Sequence, residues 1–198
     1  WRFRFSKEER NVTISSAEKW AELRLRGKPM MNPRVRTLVL GMGNPCLCDD
    51  AIGILLARRL QSLLPCREDL DFQPDCSLGG WNLLDVLTGY DRQIVIDSLQ
   101  THPSFPGKWH FFTAAALPQT CNLDGIHDVN FATALQLGRA LGMHLPEDEE
   151  IHIFAVEILD NRTFGESLSE PLQRCFPELA TALHREIERL LDRKSGKE

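Results

Sequence analysis

The residues whose types could do chemistry fall at three places. The first is the run Gly41-Met42-Gly43-Asn44-Pro45-Cys46-Leu47-Cys48-Asp49-Asp50, which follows a β-rich apolar stretch. The second is Asp97, which ends the apolar strand Ile94-Val95-Ile96. The third is His127, which closes a long Pro/Asn/Gly loop and directly precedes Asp128 and a helical pattern. Two carboxylates and one imidazole form a donor set that nickel, zinc or iron accepts, and the same groups can do acid–base work. Each residue also has a plain structural reading. Carboxylates are favoured at a helix N-terminus by the helix dipole, so Asp49 reads first as a simple cap. Asp50 reads equally as a cap or as a side chain turned back over the strand ends. Asp97 could cap a nearby loop, and a lone His127 could be structural.

Other chemistries fit less well. The two glycines of Gly41-Met42-Gly43 permit a tight turn and close backbone approach. The third glycine of a dinucleotide fingerprint is missing, because Cys46 stands there. Pro45 occupies the place where a helix would begin to cradle phosphate, and two acids at the helix start would repel a pyrophosphate. No Gly-x-Ser-x-Gly elbow and no His-Glu-x-x-His is present, which disfavours a serine hydrolase and an ordinary zinc protease. His144 and His184 read as unremarkable; His152 and His110 lie inside strand patterns, and His102 precedes Pro103. The six cysteines, Cys46, Cys48, Cys66, Cys76, Cys121 and Cys175, show no Cys-x-x-Cys spacing. They read as scattered buried thiols of a reducing compartment.

These candidates need elements to hold them. Residues 35–40 read as a buried strand ending at Gly41, and 93–97 and 150–156 as two more strong strands. Residues 71–77 read as a weak strand, and 108–113 as an alternating strand near a sheet edge. Helices are expected over 49–64 (stopped by Pro65), over 80–87, from an Asp128 cap to about Leu141, and from Pro177 to about Arg193. Strands alternating with such helices predict an α/β fold: a three-layer domain with a mostly parallel twisted sheet flanked by helices. Sheets of this kind carry their sites at the carboxyl ends of the strands. The places to search are therefore just after Leu40, Ile96 and Val156, and the loop before Asp128.

The chain has 198 residues, enough for one full domain, with ordinary apolar and charged content. No run of about 18 apolar residues predicts a membrane span, and the opening residues lack an apolar signal core. The formal charge of -5 is unevenly spread. Residues 1–33 hold eight basic and four acidic residues, and the remainder holds 15 basic and 24 acidic. A body that acidic argues against a nucleic-acid binder. Within 1–33, residues 14–25 fit one amphipathic helix behind Ser16, and 27–33 read as a linker. Met30 and Met31 sit just ahead of the first strand. Residues 1–33 are therefore expected to be an N-terminal extension or accessory segment, and 34–198 the domain.

The ordered motifs resemble one family. The run from Leu38 to Gly53 is similar to the opening of the nickel–iron hydrogenase maturation endopeptidases: a strand, Gly-x-Gly-Asn, then an acidic pair before a small residue and a glycine. Gly80-Trp81-Asn82-Leu83-Leu84 resembles their Gly-x-x-Leu-Leu helix, and Tyr90 to Asp97 their second strand with its terminal Asp. His127-Asp128-Val129 then leads a helix, followed by the strand 151–156 and Glu157. The likeness runs over about residues 35 to 192. It implies a phosphorylase/hydrolase-like fold and an aspartic-type endopeptidase that trims a C-terminal extension from the hydrogenase large-subunit precursor once nickel is inserted. It also implies no resident cofactor, since nickel arrives in the precursor, and a monomer working in the cytoplasm without nucleic acid or membrane. The residues that engage the metal map onto Asp50, Asp97 and His127, with Gly41, Gly43, Asn44 and Asp49 as the supporting loop. The chain departs from the family at Cys76-Ser77-Leu78-Gly79-Gly80, where many members carry Gly-Gly-Thr, and at Cys46 and Cys48, which are expected to be buried. Two alternatives stand beside it: a non-catalytic nickel- or precursor-binding factor with the same ligands, and a peptidyl-tRNA hydrolase-like enzyme, which shares Gly41 to Pro45 but little else.

Overall fold

The structure, a computed structural model, describes residues 35–76, 81–119 and 126–193; for 81, 82, 117–119 and 126–130 it describes the backbone alone. The expected N-terminal helix and linker, the Cys121 thiol and the start of the helix at Gly80 lie outside the described residues. So do the side chains of His127 and Asp128.

Among the described residues five strands make one sheet: β1 (Thr37–Met42), β2 (Leu70–Cys76), β3 (Arg92–Gln100), β4 (Trp109–Thr113) and β5 (Ile151–Ile158), in the order β2-β1-β3-β5-β4. The pairs β1·β2, β1·β3 and β3·β5 are parallel, and β4 closes the edge antiparallel to β5. The three continuous apolar strands are the inner ones, because a parallel strand covered on both faces has no polar side to show. β2, which carries Pro74, takes the outer edge where a missing N–H costs no ladder bond.

Helices cover both faces. α1 (Ile52–Leu63) and α4 (Glu170–Asp192) bury Ile52, Leu56, Leu60, Leu183 and Ile187 against Val39, Ile94, Ile96, Phe154 and Val156. α2 (Trp81–Leu87) and α3 (Ile126–Ala140) bury Leu83, Leu87, Phe131 and Leu135 against Leu38, Leu40, Met42, Val95 and Ile153. The two sets alternate along each strand, as the period of two requires. Each such fully buried Leu or Ile contributes about 2 kcal/mol. One buried cation ties the layers. Arg92 donates to Glu150 Oε2 at 2.8 Å and to the Leu190 carbonyl, in the last turn of α4, at 2.5 Å. A positive charge is favourable at that helix end.

Several boundaries differ from expectation: β1 runs over Thr37–Met42 and β5 on to Ile158, and three further differences have a plain cause. α4 starts at Glu170, two turns before Pro177, because Pro171 supplies the permitted first-turn position and Leu172 is fully buried. Pro177 sits inside the helix on its exposed side. α3 starts at Ile126, so Asp128 is a first-turn residue and not the cap. β3 runs on to Gln100, because β5 keeps pairing with it through Ile158.

Candidate functional site

β2 lies on one side of β1 and β3 on the other, so the order of the sheet reverses between β1 and β3. Such a switch point opens a crevice at the carboxyl ends of the two strands. The sequence sends Asp50 and Asp97 there. β1 pairs with β3 only as far as Gly41 opposite Ile96, so Asp97 is the first β3 residue beyond the cover of β1. It lies within β3 and not at its end, since β5 accompanies it opposite Ala155.

The loop after β1 is folded by its own side chains. Asn44 accepts the Cys46 N–H on its Oδ1 at 2.9 Å and the Leu47 N–H on its carbonyl. The Asn44 N–H donates to Asp50 Oδ2 at 2.9 Å. Gly43 has φ +140, and a Cβ there would stand 2.0 Å from the Asp50 carbonyl oxygen. The loop ends in a 3-10 turn over Asp49–Ala51 that leads into α1.

The acidic doublet divides its work. Asp49 is fully buried and does not cap the helix. Its Oδ2 accepts the N–H groups of Leu159 and Asp160 at 3.2 and 3.1 Å, and its Oδ1 accepts that of Ser169 at 2.6 Å. It therefore clasps the segment 159–169 that leads into α4. Asp50 faces the other way: its Oδ1 accepts the Ser98 hydroxyl at 2.5 Å. The Ser98 N–H donates to Asp97 Oδ1 at 2.8 Å. One residue thus holds both carboxylates, each only 5 % exposed, at the switch point. Ser98 is the site residue that sequence reasoning missed, because a serine in a strand carries no signal of its own.

His127 occupies the second position of α3. α3 returns the chain toward the start of β5, so its first turn lies toward the carboxyl end of the sheet. Among the described residues no group of three His, Cys, Asp or Glu is gathered to hold a metal ion, and the His127 side chain is outside that description. The cysteines differ from expectation. Cys46 and Cys66 are exposed, Cys48 and Cys175 half-buried, and Cys76 alone of the five described is buried. Cys46 and Cys48 ride on a surface loop, whose neighbour is the strip 163–165: the Cys48 N–H donates to the Thr163 carbonyl and the Gly165 N–H to that of Cys46.

A second polar cluster stands on the same edge. Glu157, in β5, is 2 % exposed. Its Oε1 accepts from His110 Nε2 at 2.7 Å and faces Lys108 Nζ at 3.4 Å. Its Oε2 accepts the Phe105 N–H at 2.7 Å and the Thr101 hydroxyl at 2.9 Å. Burial alone would raise this carboxyl. The donors, His110 foremost, reverse that and hold it down at about 2. A charge inside the apolar run 151–158 was the sequence signal for this cluster; its partner His110 gave none, lying 47 residues away.

No protein-family model and no curated protein matches the sequence. Solved structures do. The hydrogenase maturating endopeptidase HybD of E. coli is similar at 20% identity and a TM-score of 0.64, over 78% of this chain and 93% of that one. The [NiFe] hydrogenase maturation protease HybD of Thermococcus kodakarensis is similar at 18% identity and a TM-score of 0.60, over 76% and 98%. A hydrogenase 2 maturation peptidase of the Thaumarchaeota archaeon SCGC_AB-539-E09 is similar at 21% identity and a TM-score of 0.52, over 79% and 98%. At these identities the likeness establishes the fold: the α/β architecture of HybD, with its mostly parallel sheet and flanking helices. No helix among the described residues is long and apolar enough to cross a membrane.

Proposed function

We propose that the chain is an endopeptidase that removes the C-terminal extension of a nickel–iron hydrogenase large-subunit precursor after nickel has been inserted. The observation that carries this reading is the pair Asp50 and Asp97, held by Ser98 at the β1/β3 switch point of a HybD-like fold. Carboxylate and imidazole groups accept a divalent nickel ion without holding it tightly. In this reading Asp50, Asp97 and His127 engage the nickel that the precursor brings, and no metal resides in the enzyme. The metal then polarises the scissile carbonyl or a water, or it positions the peptide while a carboxylate acts as base. Gly41, Gly43 and Asn44 shape the loop under Asp50, and Asp49 steadies it from behind. Residues 34–198 form the catalytic domain, residues 1–33 are accessory, and the chain works as a monomer in the cytoplasm.

Incubating the nickel-loaded precursor with the protein tests this. Shortening of the precursor that disappears in His127→Ala, Asp50→Ala and Asp97→Ala supports it. Tight binding without shortening would favour a non-catalytic maturation factor. Normal cleavage by both Asp50→Ala and Asp97→Ala would show that the site is wrongly assigned.

A further inference from the structure

Beside the paired acids, the 101–108 loop and the β3–β5–β4 edge line an open groove of about 430 Å³. Pockets of roughly 300–1,000 Å³ hold small ligands, so this one suits one or two side chains of a peptide. Leu99, Pro103, Phe105 and Phe112 make its walls. The anchor of the groove, Glu157, already has both oxygens engaged by Thr101, Phe105, Lys108 and His110. The ammonium of Lys108 is different: its side chain is 56 % exposed, and an ammonium has three donors to offer. The groove therefore presents apolar walls and, at its rim, an ammonium whose pair with Glu157 leaves donors to offer.

Its position relative to the acids follows from the register. Asp97 lies opposite Ala155, and Ala155 opposite His110. With strands about 4.8 Å apart, His110 stands roughly 10 Å from Asp97 along that row, the reach of about three extended residues. The small Ala155 between them raises no barrier. We propose that this groove is the subsite that receives an apolar side chain of the precursor flanked by a carboxylate, about three residues from the bond that is cut. The proposal deepens the protease reading and rests on it for the identity of the peptide.

The test is a double-mutant cycle. Binding of a fluorescein-labelled synthetic peptide spanning the cleavage site and extension is followed by anisotropy. Cleavage of the nickel-loaded precursor is followed in parallel. Lys108→Gln is expected to raise the peptide Kd and the precursor KM about threefold, as loss of one half-exposed charge contact does, with kcat unchanged. A peptide whose acidic residues are replaced by their amides should lose the same factor against the wild-type chain and nothing further against Lys108→Gln. Phe105→Ala removes an exposed wall and keeps the Lys108 charge, so it should weaken both peptides alike. Equal affinity of wild type and Lys108→Gln, or no binding by wild type, overturns the proposal. Peptide binding that obeys the cycle without precursor cleavage upholds the groove and overturns the protease reading. Cleavage that ignores Lys108 and Phe105 does the reverse.

Discussion

Ser98 decides how two carboxylates can share one crevice. Its hydroxyl and its N–H each serve a different acid, so neither is oriented by chance. Ser98→Ala removes one donor to Asp50 and is expected to cost about 1 kcal/mol of stability, the net worth of one such bond. Its effect on cleavage should be larger, about tenfold to a hundredfold in kcat, because a misplaced reacting group loses rate steeply. Urea denaturation read beside precursor cleavage separates the two; equal small losses in both would make Ser98 merely structural. Asp49→Ala should show the opposite balance. It strands three backbone N–H groups of the 159–169 segment and is expected to cost about 2–4 kcal/mol. The doublet Asp49-Asp50 was visible in the sequence, and the family resemblance pointed to Asp50; the residues alone left both acids readable as caps, since both lie in one 3-10 turn and differ only in direction. Asp97 was legible as a charge closing an apolar run. Ser98 and His110 were not, because each acquires its meaning from a partner far away in the chain.

At the scale of elements, the crevice depends on how closely α1 approaches the sheet. Gly53 makes that approach possible: a Cβ there would stand 2.3 Å from the Met42 carbonyl oxygen and 2.4 Å from that of Ile96. Both obstacles are backbone, in two different strands, so neither can rotate away. Gly53→Ala is expected to push α1 outward and destabilise by about 3 kcal/mol or more, the upper range for overpacking. A denaturation midpoint within error of wild type would refute that contact. The strong elements were legible because apolar period and length agree for β1, β3, β5 and α1. The errors arose where one local signal was read alone. Pro177 suggested a helix start, yet the buried Leu172 and the first-turn Pro171 carry α4 further back. Asp97 suggested a strand end, yet β5 extends the pairing of β3. Both corrections come from neighbours in space, which a single stretch of sequence does not contain.

For the whole molecule, the sequence indicated an acidic α/β domain, and two buried groups on β5 contribute to its response to acid. Burial, reinforced by the Arg92 charge, pushes the His152 imidazole down to about 4, against an ordinary value near 6.5. Its donors hold Glu157 at about 2, against about 4.5. Both native values are depressed, so the sign is the same for each. Above pH 7 neither group takes up a proton in the folded or the unfolded chain, and stability does not depend on them. As pH falls from about 6.5 toward 4, the unfolded chain protonates His152 while the native state refuses the proton, so stability drops. Below about 4.5 Glu157 adds a second loss that continues to about pH 2. Urea midpoints measured from pH 8 to pH 4 should therefore be level at first and fall below about 6.5. His152→Phe tests the assignment, because the imidazole already stacks on Phe111 and its Nδ1 has no partner in the structure. That variant should keep its level midpoint down to about pH 4.5, where Glu157 begins to act. A wild-type midpoint that stays level to pH 5, or a His152→Phe chain that falls as steeply as wild type, would remove His152 as the cause.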